Sequence, residues 1–103
     1  MTKTIRNGMV AVLYSSGYGA GWSTWNLEIP EMLFDSGLVD LVESKADNEK
    51  LEAYCTLKWP EAYLGGLEGI GIEWLPVGTA FRIQEYDGSE SVEIRDKIDW
   101  TIA

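Results

Sequence analysis

The spacing of apolar residues changes along the chain, and each change marks an element. Met9-Val10-Ala11-Val12-Leu13-Tyr14 is apolar almost without interruption, the pattern of a central strand covered on both faces. Asn7-Gly8 precedes it and supplies the two positive φ angles of a tight hairpin turn, so Thr2 to Arg6 is predicted as a short edge arm. A helical period follows. Asp35 or Ser36 caps a helix with Leu38, Val39, Leu41 and Val42 on one side and Asp40 and Glu43 facing water. Ser44-Lys45-Ala46 interrupts the helix, Asp47 or Asn48 starts a second one with a Leu51, Tyr54, Cys55 stripe, and Pro60 closes that segment.

The last third alternates with period two. Ile70, Ile72 and Trp74 fall on one face, Pro76-Val77-Gly78 turns the chain, and Thr79 to Tyr86 and Ser89 to Arg95 flank the Asp87-Gly88 turn. A two-residue loop there pairs Ile83 with Val92 and Phe81 with Ile94 on the core face, and Arg82 with Glu93 on the outer face. A final strand is predicted over Ile98 to Ile102. The expected fold is α+β, one compact domain over residues 1–103. It is mainly an antiparallel sheet of four to five strands, with two helices inserted between the N-terminal strand and a C-terminal meander.

One stretch fits none of these periods. Ser15-Ser16-Gly17-Tyr18-Gly19-Ala20-Gly21-Trp22-Ser23-Thr24-Trp25-Asn26 holds three glycines and three aromatics directly after the central strand. The glycines resemble a phosphate-binding loop, but there is no Gly-Lys-Ser/Thr, no third glycine at the dinucleotide-fold position, and no Lys or Arg between Arg6 and Lys45. The aromatics are the stronger signal. Tyr18, Trp22 and Trp25 either fold back to cap the core or form the contact surface for a partner or ligand, with Asn26 among the neighbouring hydrogen-bonding groups.

Charge narrows the partner. Seventeen acidic and eight basic residues give a net charge of −9, which repels nucleic acid and anionic membranes and attracts basic protein surfaces. Histidine is absent and Cys55 is the only cysteine. The usual hydrolase base and a structural zinc set are therefore missing, and no cofactor or metal is expected. A single thiol in a helical stripe reads as reduced and buried, in keeping with a cytoplasmic setting. No apolar run of membrane-spanning length is present, and residues 1–8 lack a signal-peptide core.

The acids cluster toward the C-terminal hairpin. Glu85 and Glu90 oppose one another near its tip, where a wet, mildly repulsive pair is expected; the functional alternative is a cation site or an acid/base pair. With Asp87 and Glu93 they form either a solvated face or an acidic docking surface.

The segments from Val12 to Asn26 and from Glu73 to Glu90 resemble those of small bacteriophage and prophage proteins with no assigned activity. The resemblance implies a bacterial host cytoplasm as the setting. It also implies action by occluding another protein, as inhibitors of host defence systems and mimics of DNA charge do. The functional expectation is a non-enzymatic acidic protein that docks on a basic host or phage protein through Tyr18, Trp22, Trp25, Asn26, Glu85, Asp87, Glu90 and Glu93. The alternative is a nucleotide-sequestering protein using the Gly17 to Asn26 loop.

Overall fold

The computed structural model describes residues 3–17 and 21–95. Tyr18 and the strand expected over 98–102 lie outside the described residues. The observed fold is α+β. Strands β1 (Ile5–Arg6), β2 (Met9–Ser15) and β3 (Ile70–Pro76) form one antiparallel sheet in the order β1-β2-β3, and β4 (Phe81–Tyr86) with β5 (Ser89–Ile94) forms a separate two-stranded sheet. Helices α1 (Ser36–Glu43) and α2 (Asn48–Lys58) lie between β2 and β3 in the chain.

Both hairpin turns follow from their residues. Asn7 and Gly8 have φ of 51° and 75°, and Asp87 and Gly88 have φ of 53° and 86°, as a twist-matched two-residue turn requires. The β4–β5 register is the one the pattern dictates, with Phe81 opposite Ile94, Ile83 opposite Val92 and Glu85 opposite Glu90. Arg82 reaches Glu93 across the outer face, with nitrogen to oxygen distances of 3.1 and 3.2 Å.

The meander expected for the C-terminal half is corrected. β3 pairs with β2 along its whole length, from Met9 opposite Pro76 to Ser15 opposite Ile70, while β4 pairs only with β5. Side-chain parity explains the pairing. Ala11, Leu13 and Ser15 lie opposite Trp74, Ile72 and Ile70, so β3 continues the core face of β2. After Pro76, Gly78 turns at a φ of 87° and carries the chain away from that sheet.

The helices cover this face. Asp35 accepts a hydrogen bond from Leu38 N and Asp47 one from Lys50 N, so each helix starts at a carboxylate cap. Lys45, at a φ of 58°, makes the break between them. Ala11, Leu13, Trp22, Met32, Leu38, Val39, Leu51, Cys55, Trp59 and Leu67 form the buried cluster. Val12 points away from that cluster and is also fully buried, so β2 is covered on both faces, as its unbroken apolar run requires.

Candidate functional site

The glycine-rich stretch closes on an anion, and the anion is the protein's own Glu90. One carboxylate oxygen of Glu90 accepts from Ser15 N at 2.9 Å, and the other from Trp22 N at 2.9 Å, Thr24 N at 3.0 Å and the Thr24 hydroxyl. The Ser89 hydroxyl adds a bond to Ser16 O at 2.9 Å. The tip of the β4–β5 hairpin is thereby fastened to the loop after β2. Glu90 is 2% exposed, and no Lys or Arg pairs with it among the described residues. Converging backbone N–H groups replace a counter-ion, the means by which phosphate loops hold phosphate.

This corrects the expectation of a wet Glu85–Glu90 pair. The register is as expected, but the two carboxylates part: Glu90 is buried, while Glu85 is exposed and accepts from Gly88 N in the turn. A signal was present in the pattern. Glu90 shares its face of β5 with Val92 and Ile94, so an acid stood in step with two core-facing residues.

The three aromatics also separate. Trp22 is fully buried, donates its indole N–H to Met32 O at 2.7 Å and packs edge-on to Trp59 at 6.1 Å; its ring belongs to the core. Trp25 is 42% exposed and lies against Tyr63, itself 44% exposed, with ring centroids 5.1 Å apart and planes tilted by 40°. Asn26 fixes that pair from beneath. It is buried, donates to Trp22 O at 2.8 Å and Tyr63 O at 2.9 Å, and accepts from Tyr63 N at 2.8 Å. A short 3-10 turn over Ser23–Trp25 presents the ring. Gly21 leaves room for it, since a Cβ there would lie 2.3 Å from Trp25 Cγ.

Next to Trp25, Leu27 is 82% exposed. Trp25, Leu27, Glu28, Ile29 and Glu61 line one groove, which continues past Pro30, Glu31, Lys58, Trp59 and Pro60. Leu27 and Glu28 follow Trp25 in the chain, but nothing in the sequence brings Glu61 and Tyr63 to it; the Asn26 clamp across 37 residues does. Of the hairpin acids, Asp87 is exposed at the turn and Glu93 is engaged by Arg82. They lie on a sheet separate from the helical core.

A second polar centre sits at the N-terminal end of α1. Buried Asp35 accepts from Leu38 N, the Tyr54 hydroxyl and Lys58 Nζ. Burial pushes the Asp35 carboxyl up, but the bonds from Lys58, Tyr54 and Leu38 outweigh it and leave the group below the usual range. Burial and the Asp35 charge raise Tyr54, and the bond to Asp35 raises Lys58. Burial, with the Asp35 charge, pushes the Cys55 thiol up to about 12. Such a thiol is no nucleophile at neutral pH.

Among the described residues no group of three or more His, Cys, Asp or Glu side chains is placed to hold a metal ion, and no helix is long and apolar enough to cross a membrane. No protein-family model, curated protein or solved structure matches the chain.

Proposed function

We propose that this chain is a non-enzymatic acidic binding protein that docks on a basic protein through the groove lined by Trp25 and Leu27, where Tyr63 packs against Trp25. The observation that carries the reading is the exposed Trp25–Tyr63 pair, held in place by buried Asn26 and set beside Glu28 and Glu61. Partly exposed aromatics are the residues that anchor interfaces, and the contacts that hold this pair lower the ordering cost of binding. The surrounding carboxylates and the net charge of −9 select a cationic partner and speed its approach at low ionic strength. The phage resemblance of the sequence suggests a host or phage protein in the bacterial cytoplasm as that partner, with occlusion of a host defence protein as one form of the action.

The nucleotide alternative draws less support. The N–H donors of Ser15, Trp22 and Thr24 that an anionic ligand would need are engaged by Glu90. The acids that a DNA mimic would align are spread over α1, α2 and the hairpin, and two of them, Asp35 and Glu90, are buried.

Capture from a bacterial host lysate tests the reading, using the wild-type chain and a Trp25→Ala/Leu27→Ala variant side by side. The expected result is a basic protein retained by the wild type at low ionic strength, released by added salt and lost from the variant. Retention of the same proteins by both chains, or of none by the wild type, would overturn it.

A further inference from the structure

We infer that the Trp25 groove is a receptor for an arginine side chain of the partner, with the guanidinium lying on the indole and its N–H groups directed at Glu28 and Glu61. The inference rests on the docking reading above and names the chemistry of the group received. Its first support is a guanidinium site that the chain builds for itself. Arg6 lies over the Trp74 ring at 5.5 Å, with Glu43 Oε2 at 2.8 Å from one nitrogen and Asp40 Oδ1 at 3.7 Å from another. An indole face and two carboxylates from the chain's own surface thus suffice to hold one arginine.

The Trp25 end of the groove presents the same components, an indole and two carboxylates. The indole is partly exposed and backed by Tyr63, and Glu28 and Glu61 line the groove with it. Among the described residues no Lys or Arg lies over the Trp25 or Tyr63 ring, and neither Glu28 nor Glu61 forms an ion pair. Lys58 lines the continuation of the groove, over the Trp59 ring, and is paired with Asp35. Arginine fits better than lysine because its planar, weakly hydrated head stacks on an indole and offers several N–H groups to two carboxylates at once. A second copy of the chain, also carrying −9, meets this face with repulsion.

The test uses two synthetic peptides of identical length and sequence, one with arginine and the other with lysine at every basic position. Each carries a fluorescent label and is titrated at low ionic strength with the wild-type chain, with Trp25→Ala, and with Glu28→Gln/Glu61→Gln. Circular dichroism of each variant confirms folding, which the exposure of these side chains favours. The expected result is an arginine peptide bound about fivefold to tenfold more tightly than the lysine peptide. Trp25→Ala should abolish that preference, and Glu28→Gln/Glu61→Gln should weaken both peptides. Equal binding of the two by the wild type, or a preference that survives Trp25→Ala, would overturn the arginine site while leaving charge-driven docking standing. No binding of either peptide would overturn both.

Discussion

Glu90 and Ser15 stand 75 residues apart in the chain, yet the Glu90 carboxylate accepts the Ser15 N–H at 2.9 Å in a buried setting. That bond, with those from Trp22 and Thr24, couples the C-terminal hairpin to the loop that presents Trp25. Truncating the carboxylate in Glu90→Ala strands three backbone donors, each costing about 1–3 kcal/mol where water does not reach it. We expect urea unfolding to show a loss of about 3–5 kcal/mol for Glu90→Ala and a smaller loss for Glu90→Gln, whose amide retains one acceptor oxygen. A loss below about 0.5 kcal/mol for Glu90→Ala, the range of ordinary surface substitutions, would contradict the latch.

Gly21→Ala probes the same loop from the other side. Its Cβ would meet the Trp25 ring at 2.3 Å, and the exposed ring can yield by leaving Tyr63. The expected outcome is a modest stability loss, about 1–2 kcal/mol, with a larger proportional loss of partner binding. Unchanged binding with an altered tryptophan fluorescence would show that the ring position is irrelevant.

The Asp35 centre sets the pH limits. Asp35 is held below its ordinary value of 3.8, so its contribution is fully present above that value and is lost as pH falls through the folded value. Tyr54 and Lys58 are raised above 10.0 and 10.5, so theirs is present below those values and fades as pH rises beyond them. Thermal unfolding across pH should show both limbs. Asp35→Asn should remove the acidic step below 3.8 attributable to this residue and cost about 1–2 kcal/mol at neutral pH, because the amide still caps the helix but no longer carries the charge that holds Lys58 and Tyr54. An acid limb identical to wild type would contradict the assignment.

Cys55 reports on unfolding. It is fully buried with its thiol pushed up to about 12. Iodoacetamide at neutral pH should leave the native chain unmodified and alkylate it once urea unfolds it. Rapid alkylation of the native chain would show that the α2 face opens readily.

The parts of this fold that were legible in the sequence are those set by local chemistry. Asn7-Gly8 and Asp87-Gly88 fixed two hairpins and the β4–β5 register, and Asp35 and Asp47 marked the starts of α1 and α2. Pairings across long separations were not legible. The alternation of Ile70, Ile72 and Trp74 declares a strand but not whether its neighbour is β2 or β4; no local turn links it to β2, with which it pairs along its whole length. The site behaved similarly. An exposed Trp25 and a buried Trp22 look alike in a glycine-rich run; their fates diverge because Met32 O receives one indole while Asn26 and Tyr63 set the position of the other. Glu90 was concealed by its type, since a carboxylate is rarely buried without a cation, although its parity with Val92 and Ile94 pointed inward.

The proposed docking surface can be located directly by photo-crosslinking in bacterial cells producing the chain, with p-benzoylphenylalanine placed in turn at Leu27, Leu57 and Tyr86, exposed apolar positions on the Trp25 groove, α2 and the β4–β5 hairpin. The account predicts a discrete adduct with a basic protein from position 27 and none from 57 or 86. Adducts from 57 or 86 with none from 27 would contradict it.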